Sequence, residues 1–270
     1  MRSLEQTFQS HCNRKALSMS LIQLFTWLLP PLRLKNRLLN SFGHDIAMSA
    51  KIGPCLVSGV RRAKLGENVL IGPFNTFKNL SLLHLENEAG IGSWNWISAH
   101  PAYQALDPEA GTLALGYGAR IESRSYLDCS GTIEVGAYSA VGGQRCTLQS
   151  HEPNMRDMIQ TVGRIEIGHH TSVGSNVVIL KGAKVPECSV LAAHSTMTGK
   201  PLADPKPGVY GGTPAKFLAP ISGQWFERTQ IPITDVAIDG VVGLDRASLA
   251  RGTEAPQRDA LHVVEADGTA

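Results

Sequence analysis

The sequence predicts an all-β solenoid, a parallel β-helix of about seven triangular coils with N-terminal helices and a C-terminal extension. The first support is a six-residue repeat. An aliphatic residue, often followed by Gly, recurs at Leu115, Ile121 and Leu127, then at Val135, Val141 and Thr147-Leu148. It continues at Ile167, Val173 and Ile179, and at Val185, Leu191 and Met197. A fixed short period marks stacked units, each burying its aliphatic residue only against its neighbours. Helical spacing would set apolar residues three or four apart, and these do not fall so. The second support is composition: 27 glycines and 6% aromatic residues suit tight corners around a narrow interior. The third is where the repeat breaks. Extra residues follow Phe77, Ile97, Leu127 and Thr147, always after the third hexad of a coil, so every insertion leaves from one corner of the triangle.

Taken in order, residues 1–45 form an N-terminal helical segment. Leu17, Leu21, Leu24, Phe25 and Leu28 lie at helical spacing with Ser20 and Gln23 opposite, which predicts an amphipathic helix over Leu17–Leu29. Arg14 and Lys15 before this apolar run also fit a signal peptide, but Pro30-Pro31-Leu32-Arg33 follows in place of a small-residue cleavage site. The run is too short and interrupted to span a bilayer. A second helix, Leu32–Leu39, carries Arg33, Lys35 and Arg37. The preferred reading is that both helices cap the open end of the solenoid; the alternative is that residues 17–39 rest on an anionic membrane surface. The β-helix occupies residues 46–200, with early, less regular hexads at Ile46, Ile52, Leu65, Ile71, Leu85 and Ile91. Its long loops fall near 99–113 and 150–164, and loops on a rigid scaffold are where chemistry usually sits. Residues 201–235 are expected to pack back on the coil through Trp225, Phe226 and Arg228, and 236–270 to be a disordered tail.

A formal net charge of +2 gives no nucleic-acid footprint. The five cysteines, Cys12, Cys55, Cys129, Cys146 and Cys188, are odd in number, scattered and without a CxxC pair, which reads as reduced thiols in a cytosolic chain. Cys55 and Cys188 are expected to be small fillers of the coil.

The candidate chemistry lies at the insertion corner. Asp128 opens that corner after Leu127, and His151 opens it one coil later, so stacking at about 4.8 Å brings the two side chains within reach. A histidine beside a carboxylate is poised to take a proton near neutral pH. His100 stands at the same corner about two coils earlier, roughly 10 Å away, with no such partner. A zinc site would need a His pair five apart on one rung plus a third elsewhere. His84, His169, His170 and His194 do not supply that spacing, and adjacent His169 and His170 would face opposite sides of a strand, so no metal is expected.

The hexads, the loop-borne His151 and the ending Gly212-Thr213-Pro214-Ala215-Lys216 together resemble the hexapeptide-repeat acyltransferases over roughly residues 46–218. Tyr126-Leu127-Asp128-Cys129-Ser130-Gly131, Ser150-His151 and Gly223-Gln224-Trp225-Phe226-Glu227-Arg228 look most like the WcaF-like branch, O-acetyltransferases of bacterial polysaccharide assembly. The resemblance implies a left-handed helix, a homotrimer and acetyl-CoA as co-substrate. It implies His151 as general base and Asp128 as the residue holding a sugar or glycan acceptor. It places Ser175, Ala193, Thr198, Lys200 and Lys216 along a CoA groove between subunits. Relatives often read Thr-Lys where this chain has Thr198-Gly199-Lys200, and Gly-Asn-Pro-Ala-Lys where it has Gly-Thr-Pro-Ala-Lys. The expected reaction is direct acetyl transfer to a sugar hydroxyl in exopolysaccharide or lipopolysaccharide biosynthesis. An oxyanion donor is expected at Gly142-Gly143 or near Ser150, with no acyl-enzyme. The expected location is cytoplasmic or peripheral to the inner membrane. The alternatives are N-acetylation, serine O-acetylation, or a non-catalytic scaffold.

Overall fold

A computed structural model describes residues 21–229 and, beyond them, the backbone of two short strands. Leu17, Cys12 and most of the expected tail lie outside the described residues. The chain from residue 45 to 197 winds as a parallel β-helix of triangular section. The first face stacks seven strands, Asp45–Ile46, Arg62–Leu65, Leu82–Leu85, Thr112–Leu115, Thr132–Val135, Arg164–Ile167 and Lys184–Val185. The second face begins with Lys51–Ile52 and, after Val190–Leu191, continues into Val209–Gly212 and the antiparallel Ala215–Ala219. The third runs from Leu56–Ser58 to Thr196–Met197.

The hexad residues point inward as their spacing predicts. Leu115, Ile121, Leu127, Val135, Val141, Ile167, Val173, Ile179, Val185, Leu191 and Met197 all join one buried core. One position differs. At the sixth hexad Leu148 is buried and Thr147 faces outward. A bulge causes the shift: Ile121 pairs with Val141 but Ser123 with Gln144, and Gly142 (φ 74°) takes up the extra residue.

The corners have their own pattern. Between the first and second faces, Asn68, Glu88, Gly118, Tyr138, His170 and Cys188 repeat a left-handed backbone conformation rung after rung. Between the second and third, buried Asn75 and Asn95 form a ladder: Asn95 N–H donates to Asn75 Oδ1 and Ser125 N–H to Asn95 Oδ1, each at 2.8 Å. Every long excursion leaves between the third and first faces.

The N-terminal helices, α1 (Leu21–Leu28) and α2 (Arg33–Ser41), cover the first coil, but not with the expected face. Trp27 of α1 is 1% exposed, and Leu39 of α2 is buried in the same core. The apolar stripe of α1 is turned outward: Leu21 is 72% and Phe25 63% exposed, and Ile22 and Leu28 are also open. Lys35 is fully buried, while Arg33 and Arg37 of the same helix are exposed. Its ammonium donates to the carbonyls of Trp27, Leu29, Ile52 and Gly53 at 2.8–3.0 Å. Two of these end α1 and two belong to the first coil, so one side chain ties the helix C-terminus to the solenoid. Burial draws its pKa down to about 8, with Cys55 pulling the other way, so the ammonium persists at neutral pH.

At the far end buried Tyr210 closes the core, and its hydroxyl donates to Lys206 O at 2.7 Å. Within the stretch expected to be a tail, Val236–Ile238 pairs antiparallel with Val242–Leu244.

Candidate active site

The two long excursions take definite forms. In the loop near 99–113, His100 caps a 3-10 helix at Pro101–Ala105, its Nδ1 accepting from Ala102 N–H at 3.3 Å. The loop near 150–164 is a β-hairpin, His151–Asn154 against Ile159–Val162. Lys181, one rung on, braces the hairpin through Glu152 (3.1 Å) and Thr161 Oγ1 (2.6 Å).

Asp128 ends a third-face strand and stands opposite Gln149, not His151. The chain turns out of the coil at Ser150, whose N–H and Oγ both donate to Asp128 O at 3.1 and 2.6 Å. That anchor returns His151 over the preceding rung, where its Nδ1 meets Asp128 Oδ2. The Asp128 side chain is 6% exposed and the imidazole 34%. Asp128 Oδ1 accepts from Ser130 N–H at 3.1 Å and Ser130 Oγ at 2.5 Å. Three donors thus compensate a buried carboxylate for its lost water. A carboxylate can only accept, so Nδ1 carries the proton and Nε2 keeps a free lone pair on the open side of the ring.

Sequence reasoning passed over two residues here. Ser130 fastens Asp128 and also accepts from His100 N–H at 3.0 Å, linking both loops to one rung. Its position two after Asp128 was the available signal. Tyr103, in the other loop, sets its ring 6.2 Å from that of His151 and 5.7 Å from His100. Burial, with Asp128 adding to it, raises the Tyr103 pKa, so its phenol stays protonated as a donor. Burial likewise pushes the Cys129 thiol well up, with Asp128 adding to it, which removes Cys129 as a thiolate nucleophile. Neither of the named oxyanion donors is both free and at this corner. Ser150 N–H is committed to Asp128, and Gly142-Gly143 belongs to the second face, whose strands do not reach this corner.

The cofactor candidates fall in separate places. Ser175 and Ala193 stack on the corner between the second and third faces, where His194 N–H donates to Ser175 O at 3.0 Å. Thr198 follows the last third-face strand, in the column of Asp128 three rungs on, about 14 Å by strand spacing. Lys200 lies exposed just beyond it. Lys216 is exposed on the terminal hairpin, whose turn reaches Thr196 through Thr213 (3.3 Å).

Two further expectations are corrected. Cys55 fills the core, but Cys188 is half-exposed at a corner. His169 and His170 do not face opposite sides of a strand. They form the turn after Arg164–Ile167, and φ 53° at His170 swings the rings together, 5.1 Å between centroids.

No family model matches the chain, and no curated protein matches its sequence. Solved structures do. The chain is similar to a polysialic acid O-acetyltransferase, OatWY, at 16% identity over 71% of this chain and 90% of that one, TM-score 0.46. It is similar to a hexapeptide-repeat-containing acetyltransferase of Vibrio cholerae complexed with acetyl coenzyme A, at 20% identity over 52% of this chain and 72% of that one, TM-score 0.40. It is also similar to an N-acyltransferase of Bacillus cereus, AntD, at 15% identity over 71% and 92%, TM-score 0.39.

Proposed function

We propose that this chain is an acetyl-CoA-dependent O-acetyltransferase acting on a sugar hydroxyl of a bacterial surface polysaccharide, with His151 as general base. The observation that supports it most is the Asp128–His151 pair, which fixes the tautomer and leaves Nε2 free at a loop-lined corner. Nε2 takes the proton of the acceptor hydroxyl as its oxygen attacks the thioester carbonyl. The tetrahedral intermediate expels the CoA sulfur, and the imidazolium returns the proton to it. Asp128 stabilises the imidazolium, and the Tyr103 phenol stands ready to donate at the mouth. The chain acts as a homotrimer in which a neighbour completes the groove along Ser175, Ala193, Thr198, Lys200 and Lys216. An exposed aromatic surface of Phe74, Trp94, Trp96 and Tyr126 offers the kind of patch that subunits cover. Among the described residues no helix is long and apolar enough to cross a membrane. The open stripe of α1, with Leu32, Arg33, Leu34 and Arg37 after it, favours a cytoplasmic protein resting on the inner membrane. The test is to incubate purified protein with acetyl-CoA and a panel of nucleotide sugars, amino sugars and lipid-linked glycans, read by mass spectrometry. Acetyl ester on a glycan is the expected product; amide product alone would replace O-acetylation by N-acetylation.

A further inference from the structure

Away from that corner, between the first and second faces, side chains of two successive rungs converge. His169 and His170 occupy one rung, and Glu187 and Cys188 the same two positions on the next, where Cys188 N–H donates to His169 O at 2.9 Å. His169 Nδ1 and His170 Nδ1 lie 2.9 Å apart, and Cys188 Sγ lies 3.9 Å from His169 Nδ1. The ligand atoms all fall within 4.8 Å of one another.

The other ring nitrogens are already engaged. His169 Nε2 meets Glu187 Oε2 at 2.8 Å, and His170 Nε2 meets the carbonyl of Arg228 at 2.8 Å. A carboxylate and a carbonyl only accept, so both Nε2 atoms carry the protons. Both Nδ1 atoms then present lone pairs to each other at 2.9 Å, a repulsion that a shared proton or a metal ion between them relieves. Tetrahedral zinc would set two such nitrogens ~3.3 Å apart and nitrogen from sulfur ~3.6 Å, from its usual bond lengths. The observed 2.9 Å between nitrogens is shorter than the first value and the observed 3.9 Å from sulfur to nitrogen is longer than the second, so the side chains would adjust by a few tenths of an ångström around the ion. A carboxylate and a backbone carbonyl behind the two rings are also the usual outer partners of metal-bound histidines. Cys188 holds φ 48° and His170 φ 53°, the left-handed conformation that this corner repeats from rung to rung. Tyr138 stacks on His170 (4.7 Å, 18°) and fixes its plane.

We propose that His169 Nδ1, His170 Nδ1 and Cys188 Sγ bind one Zn²⁺, with the remaining position open to water. The set combines the imidazole and thiolate ligands that suit this borderline cation, and it differs from the five-apart pair sought in the sequence. The site is separate from Asp128 and His151, and through Arg228 it also touches the C-terminal segment.

The test uses the full chain, stripped with a chelator and titrated with Zn²⁺ against a chromophoric competitor, with Co²⁺ as a spectroscopic probe. One equivalent of Zn²⁺ per chain is expected, and a thiolate-to-Co²⁺ charge-transfer band. Cys188→Ser should abolish that band. Glu187→Gln, which removes only an outer partner, should weaken Zn²⁺ binding about 10- to 100-fold. His194→Gln, at an exposed corner elsewhere, should change neither. Absence of Zn²⁺ binding by the stripped wild type overturns the site. So does a Co²⁺ band that survives in folded Cys188→Ser. Should Cys188→Ser fail to fold, an unchanged Zn²⁺ affinity in Glu187→Gln overturns it instead.

Discussion

Replacing Lys35 by Met keeps most of the buried volume and removes the ammonium. Four carbonyls then lose a donor, those of Trp27, Leu29, Ile52 and Gly53. Trp27 O retains Cys55 N–H at 3.1 Å, which leaves three to account for. A buried carbonyl without a partner costs about 1–3 kcal/mol, so the gross loss is roughly 3–9 kcal/mol. Water entering at the helix end and the relief of a buried charge offset part of it. A net cost of about 3–5 kcal/mol is expected, the scale for removing one partner of a buried charged network. At about 2–4 °C per kcal/mol for a chain of this size, the melting temperature should fall by roughly 6–20 °C. Because coils contact only their neighbours, the loss should begin at one end. Hydrogen exchange read by mass spectrometry should speed up over residues 21–58 and stay near wild type over 164–197. Arg33→Met and Arg37→Met, on the exposed side of α2, should do neither. An unchanged melting temperature and unchanged exchange in Lys35→Met would refute the capping role.

Burial holds the pKa of His44 below its ordinary value, and its Nδ1 accepts from Ala63 N–H at 3.2 Å. The unfolded chain therefore takes the proton first as pH falls, so the stability His44 contributes is full above about 6.5 and drains below it. Melting temperature should drop between pH 7 and pH 5, with a shallower slope in His44→Gln. Vesicles with anionic lipid should bind the wild type, and the pair Phe25→Ser with Leu28→Ser should bind weakly with an unaltered melt; absence of wild-type binding removes the membrane contact. Multi-angle light scattering at micromolar concentration should return a trimer mass, and a monomer would remove the shared cofactor groove.

The coil was legible because its aliphatic residues obey a period that neither helix nor hairpin produces. The slip at Thr147 and Leu148 was not, since the Gly142 bulge adds a residue without changing composition. The Asp128–His151 pair could be found by counting rungs to one corner, although the register alone sets Asp128 against Gln149 and the turn at Ser150 supplies the rest. The N-terminus misled for a physical reason. An amphipathic pattern fixes which residues share a helix face but not which face packs, and Trp27 with Lys35 outcompeted the Leu and Phe stripe. The His169, His170 and Cys188 group was hidden because its members are one coil apart in sequence and meet only where the corner turns left-handed.

The most direct measurement is single-turnover acetyl transfer by His151→Ala, Asp128→Asn and the double variant, alongside acetyl-CoA affinity for each. His151→Ala should lose at least about a hundredfold in turnover, the usual scale for a general base, with affinity for acetyl-CoA unchanged. Asp128→Asn should lose less, and the double variant should be little worse than His151→Ala, because the two act as a unit. His100→Ala, whose ring caps a loop helix, should cost far less. Full turnover in His151→Ala, or its loss in His100→Ala alone, would contradict the assignment of the base.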